Sequence, residues 1–335
     1  MMRWMTILFI FLSSSFLRAQ DIHFSQYEAA PHFMNPATMG AFKGSYRVAL
    51  NNRDQWGSIG VPFRTAAASL DFAIPFRYDL MGVGIATFQD RSGQGGLQTT
   101  TAVFSTAYHI ALGYDGINDL AFGFNTSYTI RSVILDELTF PNQYNGNYFF
   151  DPSASNSENF GTPSLSNLNC GVGVHWFYTP EDEPHFFFGM AFNNLLGVSD
   201  GFFQEDIARA IRTQIHGGAS YHLDKDLKIK GKFNYYRQGR SSACIVGLEL
   251  EKYMVRTSIE KASFFGGLFY RLNDAVVVLL GADVSNMRFA ISYDVTVSTL
   301  VPANNYLGGA ELSFIYKGRF KSTKGFKCPK FDPTF

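Results

Sequence analysis

The chain has 335 residues and a formal net charge of zero, because 28 Lys and Arg residues balance 28 Asp and Glu residues. This balance excludes the strongly basic surface that is typical of nucleic-acid-binding proteins. Aromatic residues make up 16% of the chain and charged residues only 17%. That composition, without an apolar run of membrane-helix length beyond the N-terminus, favours a membrane β-barrel with dispersed apolar residues.

Residues 1–19 have the pattern of an export signal. Arg3 provides the positive charge, residues 4–12 form a short apolar core, and Ala19 is a small residue at a suitable cleavage point. A membrane anchor is disfavoured because the apolar run is shorter than the ~20 residues that a membrane-spanning helix needs. The mature chain is therefore predicted to begin near Gln20.

Residues 20–44 are irregular but apolar enough to dock on another surface. Pro31, Pro36 and Gly40 interrupt any long helix or strand, whereas Phe24 and Phe33 supply apolar contact area. We interpret this stretch as a periplasmic N-terminal segment that plugs or covers the mouth of a barrel.

From residue 45 onward, apolar and polar residues alternate in runs long enough for tilted strands to cross a bilayer. In the run 119–131, for example, Leu120, Phe122 and Phe124 share one face, while Ala121 and Asn125 share the other. Counting such runs predicts about fourteen strands, at 45–55, 64–74, 81–89, 98–110, 119–131, 166–178, 185–193, 212–223, 227–237, 242–252, 263–271, 275–283, 286–294 and 307–317. The predicted fold is an all-β, antiparallel, transmembrane outer-membrane β-barrel over residues 45–317.

An even strand count agrees with a closed bacterial barrel whose N- and C-terminal segments are both periplasmic. Residues 253–261 could form a separate short strand, an extension of the preceding strand or a loop, and to keep that parity they are assigned to a connection. A soluble sandwich with its apolar face inward is the structural alternative, but sandwiches seldom need so many strands in series. The long connections 132–165 and 194–211, the second with a short helix at 202–210, are then expected outside the cell, where a partner would bind.

The remaining motifs argue against a catalytic site and against a metal site. Cys170, Cys244 and Cys328 are odd in number and lack the spacing of zinc ligands. Histidines and serines occur on the predicted strands, but no Gly-x-Ser-x-Gly motif accompanies them. We therefore predict no catalytic residue, no cofactor and no metal. The basic tail at 318–335 is predicted to be periplasmic, either as a solvated extension or as a docking element.

Several short motifs are spread along the chain: Gln-Asp-Ile-His-Phe-Ser-Gln at 20–26, Asn-Pro-Ala at 35–37, Gly40, Arg-Asp-Gln-Trp at 53–56, Gly-Leu-Phe-Tyr-Arg at 267–271, Asp-Ala at 274–275, Ser-Tyr-Asp at 292–294 and Cys-Pro-Lys-Phe at 328–331. In identity and order they resemble the motifs of the PorP/SprF family of outer-membrane proteins, which is linked to type IX secretion and gliding motility. Ile22 replaces the family's usual Pro, and the Gly-Ser-His-Glu-Ile motif is altered at 308–312, where only the Gly and Glu311 remain.

The resemblance implies a non-enzymatic barrel that is integral to the outer membrane and supports secretion or surface attachment of a cargo protein such as an adhesin. Expected partners are the C-terminal region of that cargo, type IX secretion or gliding components, a periplasmic peptidoglycan-associated lipoprotein and the lipid bilayer, with no nucleic acid. The alternative function is a passive porin or a channel for hydrophobic compounds.

Candidate site residues fall into two groups. Those predicted to contact periplasmic partners, or else to pack against the barrel floor, are His23, Phe24, Asn35, Pro36, Cys328, Pro329 and Phe331. Those predicted to brace the barrel as ion-pair members in its lumen are Arg53, Arg271 and Asp294.

Overall fold

The computed structural model describes most of the chain from residue 23 to residue 320. The described ranges are 23–76, 79–93, 96–113, 117–133, 143–144, 150–151, 154, 164–180, 184–198, 208–256 and 261–320. The predicted signal segment, residues 202–207 of the predicted short helix and residues 321–335 of the tail lie outside these ranges.

Fourteen antiparallel strands form a closed barrel in which each strand pairs with its neighbours in sequence and β1 pairs with β14. They are β1 Tyr46–Gln55, β2 Phe63–Phe76, β3 Asp79–Ser92, β4 Leu97–Leu112, β5 Asn118–Ser132, β6 Ser164–Tyr178, β7 His185–Asn193, β8 Arg212–Asp224, β9 Leu227–Gln238, β10 Ser241–Arg256, β11 Lys261–Arg271, β12 Ala275–Val284, β13 Met287–Thr296 and β14 Leu307–Gly318. The predicted fold and strand count are confirmed, and the sandwich alternative is wrong.

One prediction about the strands needs correction. Residues 253–261 were expected to form a connection, but residues 253–256 belong to β10, which ends at Arg256, and β11 begins at Lys261. The assignment was made to keep an even number of strands, but lengthening β10 leaves that number unchanged. A register shift between Tyr253 and Val255 also interrupts the two-residue alternation that marks a strand.

The distribution of side chains is inverted relative to a soluble protein. Leu268 and Leu280 face outward and are 63% and 58% exposed, whereas Arg53, Lys230 and Glu249 face inward and are at most 1% exposed. An apolar exterior around a polar interior is what a barrel in lipid requires. In the described part of the chain, no helix has the length and apolar character needed to cross a membrane.

The two ends of the barrel differ in their connections. At the terminal end, the Ser45 N–H donates to the Gly318 carbonyl oxygen at 2.7 Å, so the first and last strands begin and finish together. At the opposite end, which we call the loop end, lie the long connections 133–163 and 194–211. The connection between β13 and β14, at the same end, includes a single helical turn, Val301–Asn304.

Candidate functional site

The barrel interior holds residues 23–44, which we call the inner segment. It contains two 3-10 turns, Tyr27–Ala29 and Pro36–Thr38, on either side of one α-helical turn, α1, at Pro31–Met34. Proline occupies the first position of the second and third turns, where its missing N–H costs no hydrogen bond. The Asn35 side chain caps the third turn by accepting from the Ala37 N–H at 2.9 Å. These local hydrogen bonds therefore let the segment keep its turns without pairing with a strand.

A buried charge cluster lies near the loop end, where the structure brings together Arg53, Arg271 and Asp294. Arg53 Nη2 is 2.7 Å from Asp294 Oδ2, and Arg271 Nη2 is 2.5 Å from the same oxygen. Arg53 Nη1 also contacts Glu311 Oε2 at 3.0 Å. These four side chains, from β1, β11, β13 and β14, form what we call the loop-end cluster. Buried charges need such partners, because removing them from water is costly.

The inner segment is hydrogen-bonded directly to the loop-end cluster. The backbone N–H groups of Ser25 and Gln26 donate to the two carboxylate oxygens of Glu311 at 2.8 and 2.9 Å. Ser25 Oγ donates to Asp294 Oδ1 at 2.8 Å and accepts from Arg53 Nη1 at 2.7 Å. The start of the segment is thus held by charge-assisted hydrogen bonds, which are stronger than neutral ones.

A second ion-pair network holds the middle of the segment. Glu28 of the segment contacts Lys232 of β9 at 2.9 Å, and Lys232 contacts Glu249 of β10 at 3.0 Å. Lys230 and Arg288 each place a nitrogen 2.9 Å from Glu249. Glu249 therefore has three cationic partners, and Glu28 joins the segment to them.

The third turn of the segment packs on glycines of the barrel wall. A Cβ built on Gly123 would be 2.2 Å from the Ala37 nitrogen, and one built on Gly173 would be 2.0 Å from Asn35 Oδ1. Asn35 Nδ2 also donates to the Val174 carbonyl oxygen at 3.0 Å. Only a wall without side chains at these two places lets the segment backbone approach so closely.

Gly173→Val should displace the third turn, because the Asn35 side chain is fixed by hydrogen bonds and has no space to move. We expect a loss of about 1–3 kcal/mol in the free energy of unfolding, measured by urea titration in detergent. Gly231→Val is the matched control, because a Cβ on that outward-facing glycine would meet only the Leu248 side chain, at 3.5 Å. Equal losses in the two variants would contradict the packing role of Gly173.

Histidines of the interior make structural contacts. His109 Nε2 lies 2.7 Å from the Met39 carbonyl oxygen, and its Nδ1 lies 3.1 Å from Asp119 Oδ1. In the inner segment, His32 Nδ1 lies 2.9 Å from Ser105 Oγ. Burial lowers the pKa of His32 to about 4, although nearby Asp71 opposes that shift. His32 is therefore neutral near pH 7 and contributes its hydrogen bond without a buried charge.

The inner segment separates cavities within the barrel. His32 and Phe33 of α1 line a cavity of about 70 Å³ near the loop end. Pro31 and Met34, on the other side of α1, line a cavity of about 40 Å³ that extends toward the terminal end. A third cavity, of about 50 Å³, lies between the segment and β9 to β14. The four residues of α1 thus stand between the loop-end cavity and the terminal side of the lumen.

The predicted partner-contact residues occupy different places. Phe24, Asn35 and Pro36 are buried inside the barrel, so their contacts here are with its wall, while His23 is half-buried. His23 Nε2 lies 3.1 Å from Arg271 Nη1. The other three predicted contact residues, Cys328, Pro329 and Phe331, lie outside the described residues.

The sequence did not single out Ser25, Glu28, Lys232 or Glu311 as site residues. The available signal was their chemistry and position: Lys232 and Glu311 are charged residues on inward-facing strand positions, and such residues inside a membrane need partners. Ser25 and Glu28 precede the first strand, where no alternation indicates which way a side chain points.

Comparisons with known proteins agree on the architecture. A family model described as type IX secretion system membrane protein PorP/SprF matches residues 17–316. Among solved structures, a mutant of the monoaromatic hydrocarbon channel TodX superposes with a TM-score of 0.54 at 9% identity, covering 86% of this chain and 94% of that one. The toluene transporter TbuX of Ralstonia pickettii gives 0.49 at 12% identity, covering 87% and 94%. At such identities the likeness concerns the fold alone. No curated protein matches in sequence.

Proposed function

The chain belongs to the PorP/SprF family of type IX secretion system membrane proteins, and from this premise we propose that it is a plugged anchoring barrel for a secreted cargo protein. It is an integral β-barrel of the bacterial outer membrane. In the proposed mechanism the barrel fixes the position, the loop end binds the C-terminal region of a cargo such as an adhesin, and the terminal end contacts the secretion or gliding apparatus.

The observation that carries this proposal is the attachment of the inner segment to several strands of the barrel wall. Ser25 is bonded to Asp294 and Glu311 near the loop end, and Glu28 is bonded to Lys232 on β9. A segment that is held inside the barrel by bonds to buried charged side chains of the wall favours an anchor over a freely conducting pore.

The orientation in the proposal follows from the connections. Bacterial barrels keep short turns and both termini in the periplasm and extend longer loops outside the cell. The terminal end would then be periplasmic, and the tail with Cys328, Pro329 and Phe331 would be available to secretion components or to a peptidoglycan-associated lipoprotein. Because Phe24, Asn35 and Pro36 are buried, their role in this proposal is to hold the segment rather than to contact a partner.

A second candidate function is a channel for small apolar compounds. The 50 Å³ cavity has an apolar wall that includes Phe265, Phe269, Val277 and Leu279, and TodX, with the same fold, is a monoaromatic hydrocarbon channel. Lys232, Glu249 and Arg288 line the same cavity, and this charge would hinder an apolar solute. The anchoring function therefore has the stronger support.

Site-specific photocrosslinking in living cells tests the anchoring function. A benzoylphenylalanine at Ile59, an exposed residue in the β1–β2 connection of the loop end, should crosslink a secreted protein that mass spectrometry identifies. The control position is Leu268, which is exposed on the lipid-facing wall and should crosslink none. If loop-end positions capture neither a secreted protein nor a secretion component while the barrel remains folded, the proposed function is wrong.

A further inference from the structure

A hydrogen bond between two fully buried side chains joins the third turn of the inner segment to the barrel wall. Asn35, which caps that turn, places Nδ2 3.1 Å from Nε2 of His216 on β8. Both residues are 0% exposed. A Cβ built on Gly189 of β7 would be 2.4 Å from the same histidine nitrogen, so the ring lies directly against the wall. This bond is therefore closed to water while the turn is docked.

The backbone around Asn35 fixes the orientation of its amide. Oδ1 accepts from the Ala37 N–H at 2.9 Å, and Nδ2 donates to the Val174 carbonyl oxygen at 3.0 Å. A rotated amide would place its NH₂ group against a backbone donor and its oxygen against a backbone acceptor. Nδ2 is therefore also the donor toward His216, whose Nε2 accepts. An imidazole that accepts through Nε2 is neutral and carries its proton on Nδ1.

The same bond is incompatible with a protonated His216. A charged imidazole donates from both of its nitrogens, so two donors would face each other across 3.1 Å. Asn35 has no space to turn and accept, because its Oδ1 is bonded to Ala37 and lies 2.0 Å from where a Cβ on Gly173 would be. The conflict is relieved when Asn35 and the turn that it caps move away from β8.

The surroundings of His216 do not compensate a positive charge. The titratable neighbour is His175 of β6, whose ring centroid lies 5.0 Å from that of His216. Farther along the inward faces, Arg212 of β8 and Lys232 of β9 are both cations. Among the described residues packed around His216, none is a carboxylate; those on the other elements are Phe187 and Gly189 of β7, Asn234 of β9 and Asn35. Water reaches the charged ring when the turn leaves, so protonation and release are coupled.

We propose that His216 is a pH-sensitive switch for the docking of the inner segment: the neutral ring holds Asn35 and the third turn, and the protonated ring releases them. Docking of this turn is complete at neutral pH and is lost as the pH falls. The bonds of Ser25 and Glu28 to the wall do not involve His216, so the start of the segment stays attached. The switch concerns the plug and does not depend on the identity of any cargo.

Hydrogen exchange of the third turn tests the switch. His216→Gln keeps an oxygen that accepts from Asn35 but does not titrate. The parent protein and H216Q are compared at the same pH, so the intrinsic exchange rate cancels. As the pH is lowered from about 7 to about 4, through the ordinary titration range of histidine, the amides of residues 37–39 should come to exchange at least tenfold faster in the parent. The amides of Ser25 and Gln26 should exchange equally in both proteins.

His175→Gln is the matched control, because this neighbouring ring packs on Phe177 and Phe187, with centroids 4.0 and 5.8 Å away. H175Q should lose protection of the third turn in acid as the parent does. His32, whose pKa is about 4, is present in all three proteins and adds the same background to each. Equal loss of protection in the parent and H216Q, or loss of the acid response in H175Q alone, would overturn the proposal.

The protonated nitrogen of His216 gives a measurement that needs no altered contact. In protein labelled with ¹⁵N at its histidines and held in detergent at neutral pH, the nitrogen chemical shifts should show Nδ1 protonated and Nε2 unprotonated at His216. The signals that disappear in H216Q identify the residue. A proton on Nε2 at neutral pH would mean that Asn35 does not donate to this nitrogen, and the switch would then be wrong.

Discussion

Removal of residues 23–42 is expected to convert the barrel into a conducting pore. The strand ladder closes without these residues, since all fourteen strands lie between Tyr46 and Gly318. Their removal joins the cavities on the two sides of α1 and leaves a lumen lined by polar and charged side chains. In planar bilayers the intact protein should show no stable conductance, whereas the deletion variant should show discrete conductance steps.

A peptide supplied in trans provides the control for this deletion. A synthetic peptide of residues 23–42, added to the deletion variant, should close the pore. The side chains that bind this segment, Glu311, Asp294 and Lys232, are still present on the barrel wall. A scrambled peptide of the same composition should not. Stable conductance of the intact protein, equal to that of the deletion variant, would contradict the plug and favour the channel function.

Asp294→Asn is expected to cause the largest loss of stability among single substitutions in the lumen. Asp294 is the shared partner of Arg53 and Arg271, and it also accepts from Ser25 Oγ. Removing its charge leaves two buried guanidinium groups with fewer compensating contacts. Breaking a buried ion pair costs about 3–5 kcal/mol, and this cost should appear as a lower free energy of unfolding in urea titrations.

Asp54→Asn is the matched control for that substitution. Asp54 pairs with Arg64 at 3.3 Å on the outer surface, where the two side chains are 52% and 65% exposed. An exposed pair contributes about 0–1 kcal/mol, so this variant should unfold almost as the parent does. If D294N costs no more than D54N, the loop-end cluster does not stabilise the barrel.

The strands could be predicted because polar residues that face the interior alternate with apolar residues that face outward along each strand. In β9, for example, Lys230 and Lys232 face the interior and Ile229 and Phe233 face outward, as the sequence indicates. The limits of β10 could not be predicted, because the register shift near Tyr253 breaks the alternation. Local irregularity of this kind depends on the partner strand and leaves no sequence period.

The contacts within the candidate site could be predicted from the sequence less completely than the strands. Alternation predicts that Arg53, Asp294 and Glu311 point inward, but it does not predict which of them meet. Their contacts depend on the register of every intervening strand and on the closure of β1 with β14. The position of Ser25 depends further on the path of a segment without periodicity. The inward-facing glycine at 173 did carry a signal, since a strand glycine often marks a close backbone approach.

The contact between Ser25 and Glu311 joins residues 286 positions apart in the chain, and this separation sets an order of assembly. The inner segment is synthesised before any strand, yet its bonding partners stand on β13 and β14, the last strands to be made. Its docking therefore follows completion of the wall, and contacts of such long range form slowly. Protection of the Ser25 and Gln26 amides from hydrogen exchange would consequently report a finished barrel. An early part of the chain thus serves as the marker that the last strands are in place.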